Sequence, residues 1–129
     1  TNFYSTIKRL SYERDSLKVI SDQKGVPTSN RFLVEELDKI IPKLKANNAG
    51  IYHLVPDGKC SWYDFAKEII GIENTSFNID NCHPIHTYEF ISKTTRPLNS
   101  CLNNSKVKDT FMLRFNDWKK ELNKVIDES

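Results

Sequence analysis

Glycine is scarce in this chain, with four residues in 129, and nowhere do the glycines gather into the Gly-rich loop that holds a dinucleotide at a strand-to-helix turn. The chain has no phosphate loop of its own for a nicotinamide cofactor. Cysteine is sparse too. Cys60, Cys82 and Cys101 are odd in number, widely spaced and without a C-x-x-C pair, which argues against a disulfide framework and a zinc ribbon and fits a reducing cytoplasm. No apolar run approaches the roughly 20 residues of a membrane span, and the start at Thr1 shows neither a basic nor an apolar leader region. A surplus of one charge is also missing: 19 basic residues against 17 acidic, net +2, give no electrostatic case for nucleic acid or an anionic membrane. Without an initiator Met, the chain reads as a processed product or a piece of a longer protein.

What is present fits one domain with a modest core, at 38% hydrophobic and 28% charged residues. Phe3, Ile7 and Leu10 recur at helical spacing, and Leu17, Val19 and Ile20 then switch to a β-branched, period-two run: a helix feeding a strand. Ser21 to Thr28 is loop chemistry, with Gly25 permissive and Pro27 biasing Val26 toward extended geometry. Thr28 or Ser29 can cap a second helix whose face is Leu33, Leu37, Ile40, Ile41 and Leu44, kinked or ended by Pro42. The apolar run from Gly50 to Val55 predicts a buried strand, closed by Asp57-Gly58. Ser61 caps a helix with Trp62, Phe65, Ala66, Ile69 and Ile70 on one face, expected to pack on that strand. From Glu73 to Asn104 only short extended signals appear, near 77–79 and 85–88, and a last helix starts at about Asp117 with Trp118, Leu122, Val125 and Ile126 inward. The alternation supports an α/β architecture, but three or four strands fall short of a full doubly wound sheet.

Two segments have ligand chemistry. The Gly25 to Thr28 loop pairs with Thr94-Thr95-Arg96-Pro97-Leu98-Asn99-Ser100, where an Arg fixed before a Pro can bind a phosphate bidentately while Asn and Ser hydrogen-bond a sugar. Chemistry alone favours a surface loop whose Arg is merely solvated. Tyr-x-x-x-Lys occurs twice, at Tyr4 with Lys8 and Tyr63 with Lys67, but any amphipathic helix yields that spacing. Cys82, His83 and His86, even with His53, lack the paired spacing of a closed zinc site. A Cys60–His53 nucleophile pair has no orienting third group.

Taken in order, Asn2-Phe3, Ser21-Asp22-Gln23-Lys24-Gly25-Val26-Pro27-Thr28, Gly50-Ile51-Tyr52-His53-Leu54, Cys60-Ser61-Trp62-Tyr63-Asp64-Phe65-Ala66, Arg96-Pro97-Leu98-Asn99-Ser100 with Leu102 and Lys106, and Asp117-Trp118 resemble the C-terminal part of bacterial dTDP-4-dehydrorhamnose reductases. The resemblance implies that residues 1–129 form the C-terminal substrate-binding domain of an extended short-chain dehydrogenase, Rossmann-type α/β fold, with the dinucleotide-binding half and the catalytic Tyr-Lys pair lying upstream. It implies an NADPH-dependent reduction of dTDP-4-dehydro-L-rhamnose to dTDP-L-rhamnose, with NADPH held mainly by that other half. By the same analogy Arg96 contacts the substrate diphosphate, Asn99 and Ser100 support it, the stretch from Gln23 through Pro27 to Thr28 borders the sugar and nicotinamide, and Asn2 joins them.

The family also implies that the Ile51 to Val55 strand packs on the upstream half, so the isolated chain is expected to expose apolar surface and to self-associate or pair with an N-terminal nucleotide-binding half. Two alternatives stay open: a non-catalytic interaction or regulatory module of reductase-like fold, and a related sugar-nucleotide epimerase or reductase.

Overall fold

A computed structural model describes residues 2–128. In chain order the elements are α1 (Phe3–Glu13), β1 (Leu17–Ile20), β2 (Lys24–Gly25), α2 (Asn30–Ile40), β3 (Cys60–Ser61), α3 (Trp62–Glu73), β4 (Cys82–Ile85), α4 (Ser105–Phe111) and α5 (Trp118–Asp127). The α/β expectation stands. The chain divides into two compact units, one of Thr1–Gly25 with Cys60–Ser100 and one of Val26–Lys59 with Cys101–Ser129.

In the first unit, α1 begins because the Asn2 side chain accepts from the Ser5 backbone N–H, and α3 begins on a capping box in which Ser61 and Asp64 satisfy each other's amides. β1 pairs in parallel with β4, Leu17 opposite Cys82 and Ile20 opposite Ile85, and β2 pairs antiparallel with β3. The core is Ile7, Leu17, Val19, Ala66, Ile69, Ile70 and Cys82. Phe3 joins it from the start of α1, with its ring 4.7 Å from Trp62 and 5.3 Å from Phe65. The far ends of α1 and α3 are tied by Glu73, which accepts from the Tyr4 hydroxyl and pairs with Lys8 at 2.8 Å. The Asn74 amide donates to the Ser11 carbonyl at 3.1 Å beside them.

In the second unit, Ser29 is the cap of α2, and Pro42 sits in the 3₁₀ turn Ile41–Lys43 that follows the helix. Ile40, Val107, Phe111 and Leu113 form a buried cluster with Tyr52, Leu54 and Phe115 against it, and Phe115 meets Phe32 edge-on at 5.1 Å. Trp118 and Leu122 of α5 are buried. So are two carboxylates: Glu36 is held by Lys39, and Glu121 by Asn116 and Lys124.

The structure corrects four expectations. Residues 51–55 are not a strand. Among the described residues no strand ladders with them, and Ile51 is 82% exposed; instead the Ile51 carbonyl takes the Lys106 ammonium and the Val55 carbonyl takes the Asn104 amide. With no strand formed by 51–55 to receive it, α3 packs on α1 and β1 of its own unit. The buried face of α2 is Phe32, Glu36 and Ile40, one turn apart, which leaves Leu37, Ile41 and Leu44 outside. The stretch from 73 to 104 is more regular than its composition predicts: residues 82–85 are a strand, 3₁₀ turns at Ile79–Asn81 and Thr87–Glu89 flank it, and α4 follows directly. No helix among the described residues is long and apolar enough to cross a membrane.

The α1–α3 clamp makes stability pH-dependent at both ends. Lys8 first, and then the Tyr4 hydroxyl, hold the Glu73 carboxyl below its ordinary 4.5, while burial and then Glu73 push the Tyr4 phenol up to about 12. A depressed carboxylate contributes stability above its unfolded value and loses it in acid; a raised phenol loses its contribution as pH climbs from 10 toward 12. Urea unfolding should therefore show a stability decline below pH 4.5 that is shallower in Glu73→Gln. At neutral pH that variant should be weaker by about 1 kcal/mol.

Candidate functional site

In the first unit Lys24, just ahead of the Gly25 to Thr28 segment, meets the end of the Arg96 to Ser100 segment. After β1 the chain passes Asp22 and Gln23 into β2, and the backbone of Lys24 takes hold of the distant R-P-x-N-S segment. The Lys24 N–H donates to the Leu98 carbonyl at 2.9 Å, and the Ser100 N–H donates to the Lys24 carbonyl at 2.8 Å. These bonds form a parallel bridge between Lys24 and Asn99. Arg96, Asn99 and Ser100 thus lie exposed on a segment fixed at its end.

Gln23 itself is 6% exposed, and both ends of its amide are engaged. Its Oε1 accepts from the Trp62 indole N–H at 3.2 Å, and its Nε2 donates to the Thr87 hydroxyl at 3.2 Å. Thr87 also donates to Asp22 through its hydroxyl at 2.6 Å and through its backbone N–H at 3.0 Å. The Thr87 hydroxyl is the leading cause that holds the Asp22 carboxyl below its ordinary range, against the opposing effect of burial. Trp62, set at the first position of α3 by the Ser61 cap, is half-buried and serves as both packing and donor.

The expected site residues therefore divide. Gln23, Arg96, Asn99 and Ser100 belong to the first unit, as does Asn2, which is exposed while its side-chain oxygen accepts from the Ser5 N–H at 2.9 Å. Pro27 and Thr28 belong to the second unit, where both are half-buried and the Thr28 hydroxyl donates to the Val26 carbonyl at 3.1 Å. Sequence reasoning passed over Asp22 and Thr87 as supports. Asp22 stands inside the D-Q-x-G motif, whereas Thr87 has no motif around it.

The remaining candidates resolve into structure. Tyr4 and Lys8 both serve Glu73, and the Tyr4 phenol moves up rather than down, opposite to what proton transfer to a carbonyl requires. Lys67 lies over the Tyr63 ring at 5.2 Å from its centre. Cys82 is buried in β4, its thiol pushed up by burial, while His83 and His86 are exposed. Among the described residues no three or more His, Cys, Asp or Glu converge as a metal site. The glycines, at 25, 50, 58 and 71, do not cluster, so these residues do not fit a dinucleotide pyrophosphate.

Gln23→Leu removes the shared partner of the half-buried Trp62 N–H and Thr87 hydroxyl. Denaturant unfolding should show a loss of about 1–3 kcal/mol. A change within about 0.5 kcal/mol, the usual scale of surface substitutions, would mean that the Gln23 bridge contributes little.

Comparison with known proteins bears on the chain as a whole. A family model described as the RmlD substrate binding domain matches residues 1–129. A dTDP-4-dehydrorhamnose reductase from Shigella flexneri is 35% identical over 136 residues, covering 98% of this chain and 44% of its own length. Among solved structures, a dTDP-4-dehydrorhamnose reductase from Bacillus anthracis in complex with NADP matches with a TM-score of 0.86 and 30% identity, over 100% of this chain and 44% of that one. One from Clostridium acetobutylicum also has a TM-score of 0.86, with 36% identity over 98% of this chain and 43% of that one. The chain thus spans less than half the length of the relatives it matches.

Proposed function

The chain belongs to the RmlD substrate binding domain family, and on that premise we propose that residues 1–129 act together as the nucleotide-sugar-binding domain of a dTDP-4-dehydrorhamnose reductase. The whole enzyme reduces the 4-keto group of dTDP-4-dehydro-L-rhamnose with NADPH in the cytoplasm. This chain is incomplete for that reaction by itself: the cofactor and the proton-donating Tyr-Lys pair belong to the nucleotide-binding half. When bound there, NADPH supplies the hydride; the residues here bind and orient the sugar nucleotide.

The observation that supports this reading best is the pair of Lys24 hydrogen bonds, which joins the Arg96 to Ser100 segment to the D-Q-x-G strip. Arg96, exposed and fixed before Pro97, offers a guanidinium fork to the diphosphate. Asn99 and Ser100 follow it as amide and hydroxyl partners, and Asn2 adds its exposed amide. Gln23 acts as a positioning residue, because its own hydrogen bonds hold Trp62 and Thr87. For Pro27 and Thr28 the support is the D-Q-x-G-x-P-T motif.

The partner is the nucleotide-binding half. In the second unit Val34, Leu37, Ile41 and Leu44, spaced three or four residues apart, are 60%, 43%, 58% and 53% exposed, and Ile51 is 82% exposed. An apolar row of this kind favours a covering partner, or a second copy when that partner is absent.

Titration with dTDP-rhamnose, followed by backbone amide NMR with a UDP-sugar and NADPH as controls, tests the site. Saturable shifts confined to residues 23–28 and 96–100, lost in Arg96→Ala, are the expected result. The absence of saturable shifts at millimolar ligand, or shifts indifferent to Arg96→Ala, would contradict it.

A further inference from the structure

Resting on the nucleotide-sugar reading above, we propose that Tyr88 is the platform on which the base of the nucleotide stacks, at one foot of a loop whose other foot carries Arg96. Residues 88–97 lie wholly on the surface, yet both ends of this run are tied to one three-residue strip. At one end Thr87 is bonded to Asp22 and Gln23; at the other Leu98 and Ser100 are bonded to Lys24. Ten exposed residues closed at the base in this way make an Ω-type loop, with a fixed footing and adaptable contents.

Tyr88 stands directly beyond the first footing and is 84% exposed. Its ring is nonetheless braced: the His86 imidazole stacks on it with ring centres 5.4 Å apart and planes 8° from parallel. His86 is steadied in turn. Its Nδ1 lies 3.8 Å from the Asp22 carboxylate, and its backbone N–H donates to Glu89 at 2.6 Å. A tyrosine needed only for the core would turn its ring inward. This one is supported on one face while the rest of the ring is open to solvent.

An open ring face offers a base a π surface for stacking, and the same loop provides the cation for phosphate. A nucleoside diphosphate carries both features on one molecule; inorganic pyrophosphate has only the second. Stacking is tolerant of base identity, so Tyr88 strengthens nucleotide binding rather than choosing among bases.

Binding of dTDP and of inorganic pyrophosphate to wild type, Tyr88→Ala, Tyr88→Phe and Arg96→Ala, measured by calorimetry, separates these roles. Tyr88→Ala should weaken dTDP about tenfold and leave pyrophosphate unchanged. Tyr88→Phe should keep wild-type affinity, and Arg96→Ala should weaken both ligands. If dTDP binds but is indifferent to Tyr88→Ala, or if dTDP and pyrophosphate weaken equally, the platform is refuted while the Arg96 assignment stands. If wild type binds neither ligand, both the platform and the site it rests on fail.

Discussion

The bifurcated engagement of Gln23 is the constraint on which the first unit's ligand surface depends. One buried amide accepts from the Trp62 indole at the start of α3 and donates to Thr87 beyond β4, while its two chain neighbours, Asp22 and Lys24, hold Thr87 and the Leu98–Ser100 segment. The strip is thereby fixed to a helix on one side and to the two feet of a surface loop on the other. An amide suits this position because it is a donor and an acceptor at once; a carboxylate could not donate to Thr87, and an alkyl group of similar size would engage neither partner. The chemistry expected of Arg96 and its neighbours is exposed, and what gives it a defined place is this hydrogen-bonded strip centred on the buried Gln23.

The second unit is organised differently. Its aromatic and aliphatic cluster around Phe111 and Val107 is tied together by Asp57, which accepts from Lys108 at 2.9 Å and from Asn104 at 2.8 Å. Burial pushes the Asp57 carboxyl up, but these two partners outweigh it and hold the group below its ordinary range. Gly58 follows with φ 91°, where a Cβ would fall 2.4 Å from Asp117, so the turn there accepts only glycine. The row of exposed apolar residues on the outer side of α2 is the counterpart of that inward packing. It is the surface of a domain that spans only part of its relatives' length.

Much of this was legible in the sequence where local chemistry is self-sufficient. The Ser61 and Asp64 capping box and the Asp117 cap mark helix starts through side chains close to the backbone groups they satisfy, and Pro42 marks the end of α2 through its ring and missing N–H. Residues 51–55 show the opposite case. Their apolar, β-branched content reads as a strand, but a strand needs a ladder partner, which no local pattern supplies. Of β4 only Ile85 falls within the extended signal near 85–88, because His83 and Pro84 break the apolar pattern before it, and α4 gives no signal because it is one short stretch without a side-chain cap. At the site, D-Q-x-G and R-P-x-N-S could be read as motifs, whereas their junction is made by backbone groups of Lys24, Leu98 and Ser100, which leave no signature in residue type. Thr87 was invisible for a related reason: a threonine in a polar stretch becomes meaningful only when Asp22 and Gln23 are seen against it.

Amide hydrogen exchange in a Gln23→Ala variant tests most directly whether the strip centred on Gln23 organises the exposed loop. The account predicts that the Thr87 and Ser100 amides lose protection together relative to wild type, while the amides of α1 keep theirs. Unchanged protection at Thr87 and Ser100, or a uniform loss that includes α1, would contradict it.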